Sequence, residues 1–528
     1  MALHLSVPAI EDKPLIGAEK RPKVLQGLLA SLPATHPVAA AQTIQEHLSL
    51  LNRQAVGADA RAKLLEIYRP AIFKVTDDLA AHYCSQTLPL SENALAAAAT
   101  ARNLLTELAY GYKIAILDHA SRVFALGSGK TLAQLIQRAI HTLDRLLQVS
   151  YYTYVSPPEA VWSEIHRLYL HAAQLGLHET EIEDTNEKTS VNLTYKRILL
   201  LALADPHHLI SADVDRIRDY LARHAHLAQL HPLGTPENPA GVFLVRLKSD
   251  SAPTPLAKHR GETDMRTDIL LITVELARQV SIQLQQLGGE AAVATPGLPA
   301  SSEHDRELLN YLIRHWALAP KRTFSRLSKN ESTNLCAGLD AIHYFLNGEV
   351  DFAATRQQAE EAEVSLNFTE SPIDNSFSHR FNSARWLVTN ESAGGMALSK
   401  FPGVPSHLSV GELLGMRSDR GSQWSLGVVR WANNSESGDL EIGAQMLAPT
   451  AKAVAVKPEN TNDCIKALLL PEMQTLQQPA TLVTACGIYQ PTRILEITME
   501  ADSRPVRVRL TRLLERTGSF ERFQFNTL

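Results

Sequence analysis

Two short stretches hold the residues best suited to chemistry. Lys321-Arg-Thr-Phe-Ser-Arg326 sets two arginines four positions apart, with a lysine beside the first. A guanidinium is always charged, grips phosphate oxygens as a two-pronged fork and stacks on aromatic planes. It also donates to the O6 and N7 edge of guanine. The second stretch is Asn390-Glu-Ser-Ala-Gly-Gly395. In an extended chain Asn390 and Ser392 point the same way, because alternate residues share a face. Gly394 and Gly395 let the backbone turn sharply or come close to a ligand. Glu391 falls on the opposite face and reads as a solvated carboxylate rather than a general base.

Other chemical candidates are weaker. Gly127-Ser-Gly-Lys-Thr131 has the tail of a phosphate loop, but Phe124 stands where that motif needs glycine, and the preceding residues read as helix rather than strand. His207, His208, His224, His226 and His231 cluster loosely without a four-ligand spacing. Cys84, Cys336, Cys464 and Cys486 are scattered, with no CxxC pair. No nucleophile, base and metal set of a known catalytic kind is present. The expectation is a binding protein, not an enzyme, with no metal.

The formal net charge of −5 gives no overall attraction to nucleic acid polymers, so any anion site must be a local cluster. No run of about 18 apolar residues exists, which predicts no membrane insertion. The first residues, MALHLSVPAIEDKP, lack a signal-peptide pattern, and a cytoplasmic location is expected.

The elements that must position the two stretches differ in texture. At 528 residues the chain is too long for one core. Residues 1–290 read as a helical array or bundle. The spacing of Val161, Ile165, Leu168, Ala172 and Leu175 predicts a helix over 157–175, with Ser156 and Glu159 as a capping box. Further helices are expected near 20–31, 38–53, 91–115, 131–150, 193–204, 212–227 and 264–287, with a strand at 241–247. Residues 291–303 read as a linker, followed by a helix over 304–316. Beyond residue 320 short strands and turns predict a small β-barrel or sandwich to about residue 450, interrupted by an insertion at 347–383. Residues 451–528 read as a further β-extension or subdomain. The fold class is thus multidomain α plus β.

Arg322-x-x-x-Arg326 followed by Asn390-x-Ser392-x-x-Gly395 resembles the two-part signature of PilZ domains. The resemblance covers roughly residues 318–450. It implies a six-stranded barrel that binds cyclic di-GMP. It further implies that Arg322 and Arg326 clamp the ligand while Asn390, Ser392 and Gly395 form the platform, with Lys321 adding a phosphate contact. The gap between the motifs is longer than the family shows, and the insertion at 347–383 accounts for it; without that insertion, Arg380 and Arg385 are rival clamp residues. The implied role is a second-messenger receptor that relays to an unidentified protein partner through residues 1–290. The alternative is a PilZ-like interaction scaffold that binds no nucleotide. Oligomeric state is not legible.

Overall fold

The computed structural model describes residues 3–528 apart from 12–14, 16, 34, 121–128, 185–186, 288–302, 318–325, 353–380, 420, 436–438, 460, 462, 474–477 and 500–504. The chain divides into two compact units, Met1–Gln86 with Leu90–Lys321, and Thr87–Pro89 with Arg322–Leu528.

The first unit is mainly helical. Its helices are α1 (Pro22–Ala30), α2 (Pro37–Arg53), α3 (Ala58–Ala80), α4 (Glu92–Ala120), α5 (Gly129–Thr153), α6 (Val161–Gln174), α7 (Val191–Leu203), α8 (Ser211–His224), α9 (Val274–Gln286) and α10 (Glu303–Ala317). A hairpin, β1 (Ile182–Asp184) and β2 (Glu187–Thr189), precedes α7. A small sheet follows α8: β3 (Gln229–Pro232), β4 (Val242–Val245), β5 (Thr254–Pro255) and β6 (Ile269–Ile272), in the order β3-β6-β4-β5. On α5, Leu132, Leu135, Ile136, Ala139, Ile140, Leu143 and Leu147 are buried at three- and four-residue steps, the mark of a core-facing helix. Gly111 lets α4 lie close on α3, since a Cβ there would come 2.5 Å from Leu65 Cδ2.

Three expectations shift here. The helix predicted over 157–175 starts at Val161, because Ala160 takes a left-handed conformation. The Ser156–Glu159 box does not cap it; Asp250, far along the chain, accepts from the N–H groups of Ala160 (2.7 Å) and Ser163 (2.9 Å). The predicted helix over 264–287 is shorter, since Ile269–Ile272 pairs with both β3 and β4. The helix predicted over 304–316 is α10, and it belongs to the helical unit rather than to the β-domain. Its fully buried Trp316 donates from Nε1 to the Leu200 carbonyl at 3.0 Å, and Tyr311 donates to that of Ala204 at 2.9 Å. The linker expected at 291–303 lies outside the described residues except for Glu303.

The second unit holds two closed barrels. The first comprises β7 (Leu327–Ala337), β8 (Ala384–Ser392), β9 (Gly395–Lys400), β10 (Leu413–Ser418), β11 (Ser425–Asn434) and β12 (Leu440–Ala448), in the order β10-β11-β12-β9-β8-β7, with α11 (Leu339–Leu346) after β7. Most of the insertion expected at 347–383, residues 353–380, lies outside the described residues. The second is β13 (Lys452–Pro458), β14 (Ile465–Leu470), β15 (Thr481–Thr484), β16 (Ile494–Thr498), β17 (Val506–Arg516) and β18 (Glu521–Thr527), in the order β13-β14-β15-β18-β17-β16. Residues 451–528 are therefore a complete second barrel. The two barrels share a core: Leu426, Val428 and Leu447 of the first cluster with Leu468, Leu470, Val483 and Phe520 of the second. Among the described residues no helix is long and apolar enough to cross a membrane. Nor does any group of three or more His, Cys, Asp or Glu among them suit a metal.

Trp316→Ala removes a buried indole and the N–H it donates to the Leu200 carbonyl, which keeps only the Ala204 N–H. Truncations of this kind cost about 3–5 kcal/mol. Denaturant unfolding followed by circular dichroism should show the helical unit losing that much stability.

Candidate functional site

The Asn390–Gly395 motif is the tip of the β8–β9 hairpin. Ser392 pairs with Gly395 across the two-residue turn, and its hydroxyl donates to the Gly395 carbonyl at 3.0 Å. The Met446 N–H donates to the Gly394 carbonyl at 3.1 Å, so the tip is pinned to β12. Gly395 has no room for a side chain: a Cβ would stand 2.2 Å from the Ala444 carbonyl oxygen and 3.0 Å from Gln445 Cα. Backbone atoms cannot move aside as a flexible side chain can, so this position needs glycine for close approach.

Two bulges aim the side chains. In β8, Val388 pairs with Leu398 but Asn390 pairs with Ala397, leaving Thr389 as an extra residue. Trp386 and Val388 are buried. Without the slip, alternation would carry Asn390 and Ser392 to the same face as those two. With it, both line an outer cavity. In β11, Val429 pairs with Ala444 and Trp431 with Gly443, leaving Arg430 extra. Val429 and Ala432, three apart, are buried, while Arg430 and Trp431 between them both line the cavity. Bulges re-aim side chains in this manner beside functional sites.

The resulting cavity measures about 170 Å³. Its polar walls are Arg326, Asn390, Ser392, Arg430 and Gln445, with the Trp431 indole beside them. That indole lies against Gly443, where a Cβ would come 1.9 Å from its Nε1. Arg326 is exposed and immediately precedes β7, where Ser328 stands opposite Asn390. Arg430 donates from Nε to Gln445 Oε1 at 2.6 Å and pairs through Nη1 with Glu515 Oε1 at 2.6 Å. No carboxylate is among the described residues that line the cavity. Glu391 is paired with Lys329, whose ammonium that hydrogen bond holds above its ordinary pKa.

Four of the residues singled out in the sequence come together: Arg326, Asn390, Ser392 and Gly395. Lys321 and Arg322 lie outside the described residues, as does the rival Arg380. Arg385, the other rival, does not line the cavity. Its guanidinium donates to Ser332 Oγ at 2.8 Å and pairs with Asp419 at 2.9 Å. Sequence reasoning missed Arg430, Trp431 and Gln445. The available signal was the run Val429-Arg-Trp-Ala432, where strict polar–apolar alternation fails. Two guanidinium groups, two amides, a hydroxyl and an indole suit a ligand with anionic groups and planar rings.

Three family models account for nearly the whole chain. One described as the cyclic-di-GMP receptor FimW, N-terminal domain, matches residues 23–237. One described as that receptor's middle PilZ domain matches 242–386 and 374–453. The FimW C-terminal beta-barrel domain matches 451–528. The chain is 28% identical over 585 residues to the cyclic-di-GMP receptor FimW of Pseudomonas aeruginosa, an alignment spanning 99% of this chain and 93% of that relative.

Gly395→Val would drive two methyl groups into the β12 backbone. We expect a fall in melting temperature of several degrees, as a destabilisation of about 1–3 kcal/mol from overpacking implies. Scanning calorimetry would read it. An unchanged melt would show that β9 and β12 can separate here.

Proposed function

Because the middle barrel of this chain is a PilZ domain, we propose that the chain is a receptor for cyclic di-GMP, bound at the cavity of Arg326, Asn390 and Ser392. The observation that carries this reading is their convergence across 66 sequence positions, Arg326 to Ser392, on one outer face of a closed barrel. The ligand has two phosphates and two guanines. Arg326, with Arg322 and Lys321 just before it, supplies the cations for the phosphates. Asn390 and Ser392 read a guanine edge from the hairpin tip, and Gly395 keeps the strands close enough for that tip to stay in place. The relative named as a cyclic-di-GMP receptor supports the same ligand. The role is recognition rather than catalysis, in the cytoplasm where such a messenger acts.

The relay follows from connectivity. The segment carrying Arg322 and Arg326 joins α10 directly to β7. Lys321, Arg322 and Arg326 put three cations within six sequence positions, and the ligand's phosphates offset their mutual repulsion. Only the ligand's differential affinity for the two arrangements can drive the change. Residues 1–290 then present a changed surface to a protein partner.

Isothermal titration with cyclic di-GMP tests the receptor directly. Saturable binding is expected, and no heat at high micromolar ligand would sink the reading. A charge-assisted hydrogen bond contributes about 1.5–3 kcal/mol, so Arg326→Ala should weaken binding roughly ten- to a hundred-fold. Asn390→Ala should cost less, about five- to tenfold, since a neutral hydrogen bond contributes about 1 kcal/mol. Affinity capture with and without ligand tests the relay. Partners retained equally in both would favour a ligand-independent scaffold.

A further inference from the structure

Arg430 is the cavity-lining cation that the C-terminal barrel holds. Its Nη1 sits 2.6 Å from Glu515 Oε1, on β17, while its Nε is fixed by Gln445. Glu515 is only 13% exposed. Its other oxygen, Oε2, stands 4.0 Å from Arg522 Nε on β18. Glu515 and Arg522 are direct cross-strand partners, beside a register slip between Leu513 and Glu515. One carboxylate thus lies between two guanidinium groups, close to the first and looser to the second. Arg522 is itself largely buried, which disfavours its charge; Glu515 offsets that, and Arg430 opposes it as a like charge.

We propose that Arg430 is a further ligand-gripping residue of the cavity, and that ligand binding hands Glu515 from Arg430 to Arg522. The inference rests on the reading of the cavity as the cyclic di-GMP site. In the free protein Glu515 neutralises Arg430, so an approaching phosphate meets a half-spent cation. When a phosphate takes Arg430, Glu515 would ordinarily be left as an uncompensated buried charge. Arg522 removes that obstacle, because it is already within ion-pair distance and loses a repelling neighbour in the exchange. The exchange makes and breaks only ion pairs, and no covalent bond changes. The C-terminal barrel thereby becomes part of the site. It carries the counter-ion that sets the empty cavity's charge, and its β17–β18 pair responds when the cavity fills. The two barrels also share an apolar core.

The test is titration of the full-length chain with cyclic di-GMP in the wild type, Glu515→Gln, Arg430→Gln and the double variant. Glu515→Gln removes the competing charge and should tighten binding about three- to tenfold, the scale of one partly screened charge pair at 4 Å. Arg430→Gln should weaken it about tenfold. The double variant should match Arg430→Gln, because Glu515 acts only through Arg430. An additive double variant would overturn the exchange, as would a Glu515→Gln variant that binds as the wild type does or more weakly. If Arg430→Gln fails to fold, Arg430→Lys keeps the charge and loses the fork; it should bind less tightly, and wild-type affinity would overturn the proposal. A wild-type chain that binds no cyclic di-GMP would bring down the receptor reading and this inference together. A wild type that binds while Glu515→Gln is without effect would remove only the exchange.

Discussion

The β8–β9 hairpin tip rests against β12 with no side chain between them at Gly395, and the cavity depends on that contact. The Ala444 carbonyl would be 2.2 Å from any Cβ placed there. This close approach puts Asn390 and Ser392 on one side of the cavity and Arg430 and Trp431 on the other. The barrel interior is filled by Trp386, Leu398, Leu414, Ile442 and their neighbours, all buried. The cavity lies on the barrel's outer face.

Much of the architecture was legible because its signals are local. Three- and four-residue apolar spacing marks α5, and alternation marks β17, where Val508 and Leu510 are buried and Arg507 and Arg509 are not. The Asn390–Gly395 motif was legible because hairpin chemistry depends on residue types a few positions apart. What the sequence hid was long-range. The cap of α6 comes from Asp250, and nothing near Ser156 announces it. Val428 is fully buried in a cluster that takes residues from both barrels, a contact its own strand does not announce. Trp316 looks the same in sequence whether its helix packs on α7, as it does, or on a strand.

The site was legible in halves for the same reason. Asn390 and Ser392 were read as sharing a face, and they do. That this face is the outer one follows from the bulge at Thr389, a property of the pairing with β9 and not of β8 alone. The bulge at Arg430 is likewise a property of β11 with β12. A strand read by itself has no register, so a slip in register cannot appear in it. Arg430 and Trp431 belong to the cavity only once their partner strand is known.

The charge pattern adds a consequence that net charge conceals. The chain carries a formal −5, yet the cavity's lining has two arginines and no carboxylate among its described residues. The two are not equivalent. Arg326 is exposed at the start of a strand and keeps its hydration, so its attraction for an anion is screened by salt. Arg430 is partly buried and already paired with Glu515. A site built this way divides its work. The exposed cation governs encounter and the salt dependence of association. Under the proposed exchange the paired cation would set selectivity, since an anion would have to compete with the carboxylate 2.6 Å from Arg430. A diffuse anion held at the rim would engage Arg326 and leave Glu515 where it is. A phosphodiester pressed against the Trp431 face would engage both, and only that second kind of occupancy would be felt in the C-terminal barrel.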